Sequence, residues 1–128
     1  MKYIFVFFFL CSWLILPQNT KITPEALAQE QLDAYNKRDI EAFLKPYADT
    51  VKVYRFPNTF MYEGIENMRK RYTTFFENTP DLHCKLENRI IFKNKVIDHE
   101  LVTVNGKQRK AVAIYEIKEN KIVTVTFL

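Results

Sequence analysis

LHCKLENRIIFKNKVIDHELVTVNGKQRKAVAIYEIKENKIVTVTFL, residues 82–128, decides the fold. Apolar and polar residues alternate along it with a period of two, the pattern of strands with one buried face. Three turn signals, Lys93-Asn94-Lys95, Asn105-Gly106 and Glu119-Asn120-Lys121, cut it into four strands at about 82–92, 96–104, 108–117 and 121–128. Consecutive short turns make an antiparallel meander. Asn105-Gly106 is the strongest signal, because both residues tolerate the positive φ of a two-residue hairpin.

Upstream, the period changes to that of helices. Thr23-Pro24-Glu25 supplies a cap, a first-turn proline and an early acid for a helix over about 24–37, whose Ala26, Leu27, Ala34 and Tyr35 follow helical spacing. Asp39 caps a second, short helix from Ile40 to Leu44, which Pro46 ends. Thr50 to Phe56 alternates as a strand up to Pro57, and Asn58 to Glu63 is a loop or short hairpin. Gly64 then leads into a third helix, about 65–78, stopped by Thr79-Pro80. The order α-α-β-α-β-β-β-β describes an α+β domain in which helices cover one face of a curved antiparallel sheet.

At 128 residues and 15.3 kDa the chain has room for one core. Hydrophobic residues at 48%, charged residues at 27% and only two Gly exclude disordered, collagen-like and low-complexity classes. The net charge of +4 comes from 19 Lys and Arg interleaved with 15 Asp and Glu, with no basic stripe. Even the densest basic cluster, Met68-Arg69-Lys70-Arg71-Tyr72, is flanked by Glu63, Glu66 and Glu77 and reads as a solvated helix face, so no nucleic-acid partner is expected. Two glycines cannot build a phosphate loop. His83 and His99 are the only histidines, and His83 and Cys84 point to opposite faces of one strand, so neither metal nor cofactor is expected.

Met1-Lys2 precedes fourteen uncharged residues, Tyr3 to Leu16, in the layout of a secretory signal. That run is short of the roughly 20 apolar residues of a membrane span. Residues 1–20 are therefore read as a signal peptide, or alternatively as a retained N-terminal anchor, and residues 21–128 as a single exported domain, periplasmic or secreted. The mature start falls near residues 18–22; Ala26-Leu27-Ala28 has a small-x-small pattern but lies inside the first helix. Cys11 follows the bulky Leu10, against a lipidation site. With it removed, Cys84 has no disulfide partner and is either a small buried hydrophobe or a reactive or intermolecular thiol.

The segment AYNKRDIEAFLKPYADTVKVYRFPN, the helix start Gly64-Ile65-Glu66 and the closing strands AVAIYEIKENKIVTVTFL resemble the SnoaL-like branch of the nuclear transport factor 2-like (NTF2-like) superfamily, over about residues 24–128. The resemblance implies a cone-shaped sheet wrapped by about three helices around a pocket. It also implies a range of roles: ketosteroid isomerases, polyketide cyclases, dehydratases and binding modules share the fold. Matching the isomerase pattern by its landmarks puts Gln31 where the donor tyrosine falls, Arg55 or Phe56 where the proton-shuttling aspartate falls, and Ala113 where the protonated aspartate falls. Steroid isomerisation by that mechanism is excluded.

The same alignment sets a parity in which Asp98, Glu100 and Val102 face inward on one strand and Ala111, Ala113 and Tyr115 on the next. Small alanines opposite aromatic helices leave space for a pocket, or simply let a helix pack closely. Asp98 and Glu100 are the catalytic candidates, since two carboxylates on one apolar face are costly unless paired or functional. They are alternatively a solvated edge, or an ion network with Arg55, Arg69 or Arg89. Arg55 joins them as a guanidinium fork for a carboxylate or enolate, or as their salt-bridge partner. Tyr35, Tyr62, Arg69, Tyr72, Ala113 and Tyr115 are the ligand-binding candidates, and Tyr47 is a further pocket hydroxyl.

Three functions stay open: a module binding a small hydrophobic or aromatic molecule, an acid-base enzyme of the cyclase, dehydratase or isomerase kind, and a dimeric interaction scaffold. Val112 and Ile114 with Thr124 and Thr126 make an outer patch on which a homodimer is expected.

Overall fold

The computed structural model describes residues 15–17 and 21–128. The export or anchor reading of residues 1–20, with Cys11, therefore falls almost wholly outside the described residues, among which no helix is long and apolar enough to cross a membrane.

Helix α1 spans Pro24–Lys37; the Thr23 hydroxyl accepts the Ala26 N–H at 3.1 Å, and Arg38 ends the helix in the left-handed region at φ 52°. Asp39 caps α2 (Ile40–Leu44) in the same way, accepting from the Ala42 N–H at 3.2 Å. Strand β1 (Tyr47–Arg55) starts earlier than its alternation indicates, because Tyr47 already pairs with the last strand. The hairpin alternative holds for residues 59–63, which form β2 (Thr59–Glu63) against β1. Helix α3 (Ile65–Asn78) follows, then β3 (His83–Phe92), β4 (Lys95–Val104), β5 (Lys107–Lys118) and β6 (Lys121–Phe127).

The six strands form one curved, unclosed sheet in the order β2-β1-β6-β5-β4-β3. It is mixed, since β1 and β6 are parallel. Helix α3 carries the chain from one edge of the sheet to the other, and three hairpin reversals then bring β6 back beside β1, running in its direction. Helix α1 packs on β3 to β6, α3 packs on β1 and β2, and α2 joins the two helices.

Phe43 sits where the helices converge, 1% exposed, with Tyr72, Tyr47 and Phe76 ring centroids at 4.5, 5.3 and 5.6 Å. On the faces expected to point inward, Asp98 and Glu100 of β4 and Ala113 and Tyr115 of β5 are buried, with Val96 and Ile117 continuing the same rows, while Val102 and Ala111 are half-buried. The concave face of the meander thus lies under aromatic helices.

Candidate functional site

Two chambers lie between the concave face and the helices. The inner one, about 110 Å³, is reached by Gln31, Tyr47, Cys84, Glu100, Ala111 and Tyr115. An outer one of about 260 Å³ is lined by Val53, Met61, Tyr62, Arg71 and Phe75. Tyr35, Tyr72 and Phe127 line both and separate them.

Strand pairing explains the polar groups inside. The tight turn at Asn105-Gly106 sets Val104 opposite Lys107, which places Glu100 opposite Ala111 and Asp98 opposite Ala113. A methyl group across the ladder leaves room above Glu100. On the other side of β4, Asp98 stands opposite Arg89 of β3. Their fork is complete, with Nε to Oδ1 at 2.7 Å and Nη2 to Oδ2 at 2.8 Å, while the third nitrogen donates to Gln29 Oε1 at 2.9 Å. Both side chains are sealed, Asp98 at 0% and Arg89 at 8% exposure.

Glu100 is 7% exposed and forms no ion pair among the described residues. Burial, and then the negative charge of Asp98, push its carboxyl up to about 7; the Cys84 thiol, which donates to it, and Arg89 pull the other way. The Cys84 thiol is itself held far above its ordinary value, by burial first and by Glu100 second, so it is a proton donor to the carboxylate and no nucleophile.

The hydroxyl groups are ordered by Gln31. Its Nε2 donates to the Ala28 carbonyl and to the Tyr115 hydroxyl, each at 3.0 Å, and its Oε1 accepts from the Tyr47 hydroxyl at 3.2 Å. Both Nε2 protons of Gln31 are then committed, and the Tyr115 hydroxyl, which accepts from Gln31, donates to no group among the described residues and keeps its proton for the chamber. Burial raises the phenols of Tyr47, Tyr72 and Tyr115 well above the ordinary range, so they stay protonated donors. In the outer chamber the Arg71 guanidinium lies over the Tyr62 ring, 4.3 Å from its centroid, and burial lifts the Tyr62 phenol to about 12.

The sequence-derived candidates divide accordingly. Glu100, Tyr35, Tyr62, Tyr72 and Tyr115 meet in the two chambers. Asp98 belongs to the wall, spent on Arg89, and Ala113 lies at 0% exposure across from it. Arg55 is no partner of the pair. It occupies the same lateral row, Arg55–Phe127–Ala113–Asp98, but three strand spacings away along the sheet, about 14 Å, and is exposed. Arg69 is outside as well, on the outer surface of α3 with Glu41 and Glu66 as its partners. Gln31 and the Cys84–Glu100 contact were missed as site residues. The Asn105-Gly106 register finds Ala111 opposite Glu100, but the docking of α1 that brings in Gln31 has no local signal.

The SnoaL-like domain family matches residues 28–125. No curated protein matches this sequence. Among solved structures, an uncharacterized cystatin-fold protein from Novosphingobium aromaticivorans superposes with a TM-score of 0.79 at 20% identity, covering 84% of this chain and 99% of that one. An NTF2-like protein of unknown function from Cytophaga hutchinsonii gives 0.73 at 18% identity, with 86% and 92% covered. A putative SnoaL-like polyketide cyclase from Jannaschia sp. CCS1 gives 0.68 at 14%, with 82% and 83% covered. The chain shares its fold with these proteins and belongs to the SnoaL-like domain family.

Proposed function

We propose that the chain binds a small molecule with an apolar body and an enolisable carbonyl head, and that Glu100 exchanges a proton with that head. One observation supports this above the rest: a buried carboxyl that has no ion pair among the described residues and borders a cavity. A carboxyl with its value near 7 both accepts and returns protons at neutral pH. The free Tyr115 O–H is the donor for the oxyanion that such a step creates. The Jannaschia relative's putative role as a polyketide cyclase is of this chemical class, because closing a ring beside a carbonyl begins with the same proton removal.

Size restricts the ligand. The inner chamber, about 110 Å³, is smaller than the roughly 150 Å³ cavity that admits benzene, so it takes the head only. The body lies outside it, against Tyr35, Tyr72 and Phe75. Binding without turnover is the second reading, favoured by the apolar lining of the outer chamber, Val53, Met61, Phe75 and Phe127.

The test is deuterium exchange next to the carbonyl of 2-octanone in D₂O, followed by NMR. Wild type should catalyse it, and Glu100→Gln should lose about a hundredfold or more of the rate. Binding of the ketone with no exchange by either protein would leave the binding module alone, and no binding at all would remove both readings.

We also propose that the N-terminal segment directs export and that the chain forms a homodimer through the outer sheet face. The row Phe60–Tyr54–Thr126–Ile114–Ile97–Ile90 crosses all six strands there. Beside it the row Lys52–Thr124–Glu116–Lys95 carries both signs of charge and can therefore face its own copy. Ile114→Lys should convert the dimer to monomer in light scattering; a monomeric wild type would contradict the proposal.

A further inference from the structure

The concave face does not end at the inner chamber. Beyond Glu100–Ala111 the next inward pairs are Val102–Arg109 and Val104–Lys107. Strand β6 stops short of them, its Phe127 pairing with Ala113. A third cavity, about 500 Å³, occupies this end of the cone and is lined by Phe75, Val104, Asn105, Lys107 and Arg109. Phe75 also lines the outer chamber, so the cavities adjoin.

The charged side chains that line this cavity are both cations. Neither Lys107 nor Arg109 has an ion pair or a side-chain hydrogen bond among the described residues. Asp81, the acid that holds the β4–β5 turn, is committed to the backbone: its two oxygens accept the Asn105 and Gly106 N–H groups at 2.8 and 2.7 Å. Apolar walls of Phe75 and Val104 therefore lead to two cations that no carboxylate contacts among the described residues, with the Asp81 carboxylate turned to the backbone of the neighbouring turn. Residue 102, opposite Arg109, lies two residues along β4 from Glu100, about 7 Å.

We propose that the ligand of this cone is an organic carboxylate, its anionic end held by Arg109 and Lys107 at the rim and its apolar segment passing over Val102 and Phe75 to the inner chamber. This rests on the reading of the Glu100 chamber as the ligand site and adds the ligand's charge and reach. Arg109 supplies a fork for the carboxylate, and Lys107 supplies a second point charge. A molecule with about 7 Å between a carbonyl and a carboxylate spans from Glu100 to the rim.

The probe is 7-oxooctanoate against its uncharged counterpart 2-octanone, titrated into the full-length chain and followed by NMR shifts of the Ala111 and Val102 amides. The oxo acid should bind about tenfold more tightly, the size expected for partly exposed charge-assisted contacts. Lys107→Gln/Arg109→Gln should abolish that preference while leaving 2-octanone binding unchanged. Raising the salt concentration should weaken the oxo acid alone. Equal binding of the two probes by wild type overturns the inference but leaves the chamber reading intact. A preference that survives in the double variant, or that is lost in Arg71→Gln instead, overturns it too. Failure of both probes to shift the chamber amides removes the chamber reading along with it.

Discussion

Asp98 and Glu100 stand two residues apart on the same face of β4, and their surroundings differ in one respect that decides their chemistry. Across the ladder on β3, Asp98 meets Arg89, while Glu100 meets Leu86. On β5 both face alanine. Asp98 is thereby paired in a closed fork, and Glu100 is left with a thiol, a neighbour of like charge and a cavity. The comparison teaches that a shared strand face does not make a catalytic pair. The cation one strand away assigns Asp98 to the scaffold, while Glu100, which it does not pair, is raised by burial first and by the charge of Asp98 second, with Arg89 pulling the other way.

The largest expected effect comes from opening the closed half. Arg89→Met leaves Asp98 buried without its cation and should cost about 3–5 kcal/mol in urea unfolding, far more than a surface arginine. Loss of less than about 1 kcal/mol would mean that Asp98 is not held by the fork.

Next comes the open half. Glu100 titrates near 7 in the folded chain against 4.5 unfolded, so between those values the folded state binds the extra proton and stability falls as pH rises. Wild type should therefore lose about 3 kcal/mol relative to Glu100→Gln on going from pH 4.5 to above 7, and remain level with it below 4.5. Parallel stability profiles for the two proteins would contradict the shift.

A smaller effect is expected at Tyr115→Phe, which removes the acceptor for Gln31 and the free donor together. It should cost about 1 kcal/mol of stability and, more tellingly, lower proton-exchange activity with little change in ketone binding. Smallest of all is Arg55→Ala, expected within about 0.5 kcal/mol of wild type and without effect on Glu100, because Arg55 is exposed at the far side of the same row. A shift in the Glu100 titration in that variant would break the contrast between the two halves.

What could be read from the sequence follows the range of the forces involved. The turn at Asn105-Gly106 and the caps at Thr23 and Asp39 act within a few residues, and α1, α2 and the meander follow from them directly, while the inward parity of β4 and β5 is implied by the family resemblance. The parallel partnership of β1 with β6 depends on pairing across more than sixty residues of chain and leaves no periodic trace, whereas β2 is the local hairpin partner of β1 and stands among the sequence alternatives as a loop or short hairpin. The site shows the same division. Counting back from the tight turn at Lys93-Asn94 brings Arg89 opposite Asp98, a pairing present among the sequence alternatives, while no local register places Arg55 against the pair. A bulge between Leu86 and Asn88 shifts the rest of β3 and turns Cys84 inward near Glu100, which alternation alone does not reveal. The family resemblance places Gln31 at a pocket position, but its reach to Tyr115 and Tyr47 depends on helix docking, so the polar chain that frees the Tyr115 proton has no local signal.

The contrast between the two carboxylates is tested most directly by a carbon-13 NMR titration of the Glu100 side-chain carboxyl in the wild-type protein. The account predicts a midpoint near 7, unchanged in Arg55→Ala. A midpoint at or below the ordinary glutamate value of about 4.3 would contradict it, because Glu100 would then have a cation or full solvation and no claim to the chamber.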